Sequence, residues 1–309
     1  MMLEVIKAGP QTTVQDLGRF GARHLGVCRA GAMDALALTV ANRLVGNPAD
    51  AAALEITLPP AGFRLLRDGM LALAGADCQA LLDDTPVWPG WRTAFRAGQT
   101  LRLQAPRFGM RAYLALDGGI AVPPLLGSAS TDLMAGFGGL GGRALRDGDR
   151  LPLGEPLPPR RRLGVWLPRP GSQIRVCPGP EYPLLPKAAR ERMWNSPWQL
   201  TPNSNRMGYR LAGPGLQMDA AADMPSHAVL PGLIQLPPDG QPIVLMADAQ
   251  ATGGYPRLGM VVAADLWQLG QARLGGQLHF VESGRDDARQ AELQLQRYLG
   301  RIERLCDEN

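Results

Sequence analysis

"GFRLLRDGMLALAGAD", Gly62–Asp77, is the stretch whose reading decides the fold. Two apolar runs, Phe63–Leu65 and Met70–Leu73, flank Asp68-Gly69. Asp-Gly between extended segments is a strong short-range hairpin signal, because Gly takes the positive φ that a tight hairpin turn needs. The expectation is a β-hairpin turning at 68–69. Outward from it the same style repeats. "MLEVIKAG", "GQTLRLQAP", "GMRAYLALDGGI", "GDRLPLG", "SQIRVCPGP", "PIVLMAD" and "QLHFVESG" are short extended runs punctuated by Gly and Pro. With 38 Gly and 28 Pro in 309 residues, and no collagen-like period, strands at such spacing read as barrels or sandwiches.

Helices are few. Met33, Leu36, Ala37, Val40, Ala41 and Leu44 repeat at helical spacing, and Gly46 stands where a C-terminal Gly belongs. Near the end, Ala291, Leu295, Tyr298, Ile302 and Leu305 form one stripe, with Asp286 or Asp287 as the expected N-cap. Such a stripe packs against a barrel or, alternatively, binds a partner. "GEPLPPRRRLGVWLPRPGS" (Gly154–Ser172) is rich in Pro and Arg and lacks periodicity, so it reads as the linker between two halves, 1–160 and 161–309, the latter carrying the C-terminal helix.

Composition excludes several function classes. The net charge is only +4, and the Arg residues are scattered apart from Arg160–Arg162, which argues against a nucleic-acid interface. Lys7 and Lys187 are the only lysines, and no Walker A loop is present. The four cysteines are far apart and the three histidines show no ligand spacing, so no metal site is expected. No signal-peptide core or membrane-length apolar run appears, which makes a cytoplasmic protein with no membrane partner the default. "AGFGGLGGR" (Ala135–Arg143) leads into a strand pattern, so turn chemistry is preferred over an anion-binding nest.

Four segments are more polar than turns require. Gln11–Val27 carries Gln15, Asp16, Arg19 and His24. Ser204–Gly213 carries Asn205, Arg206, Tyr209 and Arg210. Ser226–Pro242 carries Ser226, His227 and Gln235. Ala247–Gly259 carries Asp248, Gln250, Thr252, Gly253, Gly254 and Tyr255. An Arg can fork onto a carboxylate, an Asp can serve as general base, and Gly lets backbone N–H groups approach a ligand. Pooled, these groups suit a small anionic or amide-like substrate. The expectation is one cleft lined by all four segments.

The ordered motifs "QDLGRFG", "GAMD", "ANRLVGN", "LEIT", "YLALDGGI", "LGSAST", "NRMGYRL", "GLIQLPPDGQPIVLMAD" and "GGYPRLG" resemble the 5-oxoprolinase C-subunit family, also known as KipA-like, allophanate hydrolase subunit 2 or biotin-dependent carboxyltransferase family proteins. The resemblance runs from about Glu4 to Phe280. Ala251 and Ala30 stand where the family has Thr and Ser, so those two hydroxyls are not essential here. The resemblance implies a mostly β fold of two cyclophilin-like β-barrel domains with a few short helices. It implies one component of an ATP-dependent 5-oxoprolinase complex that opens 5-oxo-L-proline to L-glutamate with an A-subunit partner and a B-subunit (KipI-like) partner. ATP would bind on, or be shared with, a partner.

For that chemistry Arg19 or Arg206 would hold the substrate carboxylate. The Gly253-Gly254 backbone with Gln235 would face the developing oxyanion, and Asp16 or Asp248 would steer water. Gln15, Asn205, Tyr209, Gln250, Thr252 and Tyr255 complete the expected binding set. One alternative is a carboxyltransferase component taking carboxybiotin from a separate carrier to a urea- or amide-like substrate. Another is a non-catalytic regulator that binds a sensor-kinase inhibitor. The chain lacks an amidase Gly-Gly-Ser-Ser-Gly signature and a Met-Lys-Met biotinylation site.

Overall fold

The computed structural model describes residues 2–218 and 224–308. The chain forms two compact units: Met1–Arg19, Ala30–Arg169 and Arg297–Asn309 make the first, Phe20–Arg29 and Pro170–Gln296 the second. The fold is mostly β. The α-helices among the described residues are α1 (Ala35–Val45), α2 (Lys187–Asn195), α3 (Leu266–Gln271) and α4 (Arg285–Asp307).

The first unit contains two six-stranded sheets. In spatial order one is Arg150–Pro152, Met2–Lys7, Ala61–Leu65, Thr100–Leu103, Ala80–Leu82 and Thr85–Val87. The other is Leu163–Gly164, Trp91–Phe95, Gly69–Asp77, Phe108–Leu116, Ala53–Thr57 and Gln11–Gln15. Alternate residues of both sheets build one core: Leu3, Val5, Phe63, Leu65 and Leu101 from the first, Leu54, Ile56, Leu71, Leu73 and Leu114 from the second. The helix α1 packs on the strands Gly69–Asp77 and Phe108–Leu116. Covering both faces explains why "MLALA" is a continuous apolar run rather than an alternating one.

The hairpin expected at Asp68-Gly69 does not exist. Ala61–Leu65 and Gly69–Asp77 enter different sheets, so 66–68 is a corner between layers. Gly69 is not at positive φ. Its role is close approach: a Cβ there would lie 2.5 Å from Asp117 Oδ1 and 2.9 Å from Phe95 Cζ. The corner is held by long-range bonds. Arg67 Nη1 donates to Asp117 Oδ1 (2.9 Å), and Ala97 N donates to Asp68 Oδ1 (2.8 Å). Those partners are distant in sequence and leave no local trace.

Elsewhere in this unit the motif residues hold one another. Glu55 Oε2 accepts from Tyr113 Oη (2.6 Å) and Met33 N (2.8 Å), and Asp34 N donates to Tyr113 Oη (2.8 Å). Asp34 caps α1 by accepting from Ala37 N (2.8 Å), and Gly46 ends the helix at φ 86°. Asn47 donates to Asn42 Oδ1 and Leu116 O and accepts from Gly118 N, tying the end of α1 to "DGG".

The Pro- and Arg-rich stretch is not a loose tether. Leu163–Gly164 pairs with Arg92 and Trp91, and Leu157 N donates to Asp117 Oδ2 (3.2 Å). At the chain end Arg160 Nη1 donates to Cys306 O (2.7 Å), Arg43 pairs with Glu303 (2.7 Å) and Tyr298 Oη donates to Trp166 O (2.6 Å).

The second unit is a closed seven-stranded barrel. Its order is Gln173–Pro178, Arg257–Val261, Leu233–Gln235, Ile243–Leu245, Gly208–Ala212, Trp198–Leu200 and Gln277–Glu282. The last strand returns parallel to the first, and the other pairings are antiparallel. Trp198, Tyr209 and Phe280 fill the interior. A ribbon of His227–Ala228 and Thr252–Gly253 stands outside the barrel order. On α4, Ala291 and Leu295 pack with Val262 and Ala264. Asp286 and Asp287 lie inside the first turn of α4 rather than capping it.

Candidate functional site

Gln15, Asp16 and Arg19 belong to the first unit and the other candidates to the second. In the first unit "LGSAST" closes on Asp16. Oδ1 of Asp16 accepts from Gly18 N (2.7 Å), Ser128 Oγ (2.7 Å) and Ser130 Oγ (2.5 Å), and Oδ2 accepts from Ala129 N (2.6 Å). A carboxylate so occupied organises a loop; it has little capacity left to steer water. Arg19 donates to Leu125 O (3.1 Å) and Ser130 O and lies over the Phe137 ring at 4.7 Å. Gln15 Nε2 donates to Thr13 Oγ1 (3.0 Å) and Thr131 O (3.2 Å). The Gly-rich stretch beside them is a series of turns. The N–H groups of Met134 and Ala135 are taken by Asp132 Oδ1, and those of Gly136, Gly139 and Gly142 by backbone carbonyls. Those five groups leave no nest for a phosphate.

In the second unit the ladder pairs Gly208 with Leu245, so the residues just before one strand meet those just after the other. Asp248 N donates to Arg206 O (2.9 Å). The side chains then form a bidentate pair, with Arg206 Nε to Asp248 Oδ2 at 2.8 Å and Nη2 to Oδ1 at 2.7 Å, both side chains almost fully buried. Arg206 and Asp248, expected to serve substrate and water, bind each other. Asn205 turns the chain with Oδ1 accepting from Met207 N (2.8 Å), and Tyr209 is core, 1% exposed.

Part of the first polar segment does reach the 247–259 stretch. Arg23, from Phe20–Arg29, donates through Nη2 to Val229 O (2.6 Å) and Gln250 O (2.7 Å). Glu181 forks with Arg257 (2.8 and 2.6 Å) and accepts from its backbone N (2.9 Å). The hydrogen bonds from the Arg257 side chain hold the Glu181 carboxyl below the usual carboxylate range.

Among the candidate residues of the second unit, what remains uncommitted lies around Gly253. Gln235, 2% exposed, ends the strand Leu233–Gln235, and its Nε2 has no hydrogen-bond partner. A Cβ on Gly253 would lie 2.8 Å from that nitrogen and 3.5 Å from Gln250 Nε2. His227 is directly opposite Gly253 in the ribbon. His227 Nδ1 is 3.2 Å from Pro225 O, and its Nε2 is buried without a partner. Gln250, Thr252 and Tyr255 are exposed nearby in sequence. Burying a polar atom unpaired costs roughly 1–3 kcal/mol, and such atoms in a folded protein call for an explanation. Here one lies beside Gly253 and the other belongs to the residue paired with it. Sequence reasoning placed His227 in a polar segment but not in the site; its only signal was the adjacent "S-H" before an apolar run.

The chain matches the family described as "Carboxyltransferase domain, subdomain A and B" over residues 25–282. It is 50% identical over 310 residues to the 5-oxoprolinase C subunit of Escherichia coli (strain K12), covering 100% of both chains. It is 40% identical over 307 residues to the 5-oxoprolinase C subunit of Haemophilus influenzae, covering 99% of each. The crystal structure of the K. lactis urea amidolyase is similar at a TM-score of 0.92 and 30% identity; the likeness covers 98% of this chain and 20% of that one. The chain belongs to the carboxyltransferase subdomain A and B family, and within it to the 5-oxoprolinase C-subunit proteins. It is thereby related to the carboxyltransferase part of urea-carboxylating enzymes, though it spans only a fifth of the amidolyase's length. No helix among the described residues is long and apolar enough to cross a membrane.

Proposed function

We propose that this chain is the C subunit of an ATP-dependent 5-oxoprolinase and opens 5-oxo-L-proline to L-glutamate together with its A- and B-subunit partners in the cytoplasm. The observation that carries this reading is full-length likeness, at 50% identity, to a protein of that name. The ring amide of 5-oxoproline is unstrained and a poor electrophile. Transfer of the γ-phosphoryl group of ATP to the amide oxygen activates it. Water then adds at that carbon, the C–N bond breaks and the ring nitrogen takes a proton, which leaves a γ-glutamyl phosphate that a second water hydrolyses to L-glutamate and phosphate. ATP would bind on a partner or at a site shared with one; the Gly-rich segment of this chain offers little to a phosphate. The chain's own contribution is amide recognition: Gln235 Nε2 and the Gly253 backbone are suited to an oxygen that gains negative charge.

The test is glutamate release from 5-oxo-L-proline by the chain with both partner proteins and ATP, omitting each in turn. Activity only from the full set supports the reading. No release from the full set overturns it, as does full activity from this chain alone. A second reading, carboxyl transfer from carboxybiotin on another protein to a urea- or amide-like nitrogen, is favoured by the likeness to urea amidolyase. Bicarbonate- and biotin-dependent carboxylation without glutamate release would establish it.

A further inference from the structure

We propose that His227 and Gln235 read the edge of a cis-amide, with Gln235 Nε2 donating to its carbonyl oxygen and His227 Nε2 accepting its N–H. Directly opposed residues of an antiparallel pair project to the same face, with Cβ atoms about 4.5–5.5 Å apart. His227 opposes Gly253, and the missing Cβ of Gly253 points at Gln235 Nε2. The His227 Cβ and the Gln235 amide nitrogen therefore lie on one face of the ribbon. The polarities of the two side chains are complementary. With Nδ1–H donating to Pro225 O, the Nδ1–H tautomer of the imidazole presents Nε2 as an acceptor. Gln235 Nε2 is a donor with nothing to donate to.

One acceptor and one donor carried on the same face match a group whose N–H and C=O lie on one edge. An open-chain trans amide points them in opposite directions, whereas a five-membered lactam or cyclic urea presents both together. Gly253 is part of the design, because any side chain there would occupy the place beside Gln235.

The inference deepens the functional reading above, on which the choice of 5-oxoproline as first probe rests. The same edge occurs in the ureido ring of biotin, and the experiment separates the two. Calorimetric titration uses the full chain, alone and assembled with its A- and B-subunit partners. The probes are 5-oxo-L-proline, its N-methyl derivative and biotin. N-methylation removes the N–H and keeps the carbonyl.

The native protein should prefer 5-oxoproline over the N-methyl compound by roughly two- to tenfold, the worth of one hydrogen bond. His227→Phe, which keeps a ring without the acceptor, should abolish that preference, and Gln235→Met should weaken both ligands alike. A purely structural role for His227 would lower both affinities and leave their ratio unchanged, which would refute the inference. Binding of 5-oxoproline that is indifferent to both variants also refutes it and leaves the oxoprolinase reading intact. Biotin bound with the same His227 and Gln235 dependence, and 5-oxoproline not bound, would uphold the amide edge and overturn the oxoprolinase reading. No binding of any probe in either preparation overturns the site.

Discussion

Replacing Asp248 by Ala separates a structural ion pair from a catalytic base. Asp248 accepts both forks of the Arg206 guanidinium, at 2.8 and 2.7 Å, where the two side chains are only 2% and 4% exposed. At that depth solvent cannot take over the charge that the carboxylate leaves behind. Removing one partner of a buried pair costs about 3–5 kcal/mol, far above the ~0–1 kcal/mol of a surface pair. For a unit of this size that is a fall in melting temperature of roughly 10–20 °C. The double variant Arg206→Met/Asp248→Leu removes both charges. It should be less destabilised than the sum of the singles by about 2 kcal/mol or more, because neither charge is then buried alone. Thermal and urea unfolding of the purified chain read both quantities. A loss below about 1 kcal/mol for Asp248→Ala, or a strictly additive double variant, would refute the reasoning. A collapse in turnover of the assembled enzyme with unchanged stability would restore Asp248 to the role of base.

Asp16→Ala should behave similarly in the first unit: stability falls because Ser128, Ser130, Gly18 and Ala129 lose a shared acceptor, and unchanged unfolding would show that the four bonds matter little. Gly253→Ala should fold with small loss, since a long side chain can shift, yet weaken 5-oxoproline binding by titration; unaltered affinity would remove Gly253 from the site. Alkaline stability should decline as pH rises above about 10. Burial and then Glu55 raise the Tyr113 hydroxyl well above its ordinary value, and burial, then Asp34, push Tyr298 up to about 12. A phenol whose pKa is raised on folding adds stability fully present below the unfolded value near 10 and lost as pH climbs through the folded one. Urea midpoints from pH 8 to 12 should therefore fall, and Tyr298→Phe should flatten the part approaching pH 12; a flat profile in the native chain contradicts the assignment.

Local pattern determined much of this protein. Short apolar runs ended by Gly and Pro specify strands, because strand period and turn chemistry act between near neighbours. The stripe from Leu36 to Leu44, with Asp34 before it and Gly46 after it, specifies α1 for the same reason. The motifs that mark the family were also legible, yet the structure uses "GAMD", "LEIT" and "YLALDGGI" to bind one another through Glu55 and Tyr113.

Tertiary structure alone decided which polar residues remain available. Asp16, Arg206 and Asp248 look like chemistry in one dimension, but partners that lie, Gly18 aside, 42 to 114 residues away consume them. Asp68-Gly69 is locally a hairpin turn and becomes a corner because Asp117 and Ala97 hold it from afar. His227 is ordinary in sequence, whereas Gln235 is legible there as a candidate donor. A two-residue ribbon sets one opposite Gly253, and a barrel strand aims the other at the same glycine. Propensity is a sum over neighbours, whereas the state of a buried polar atom depends on which distant donor or acceptor the fold brings to it.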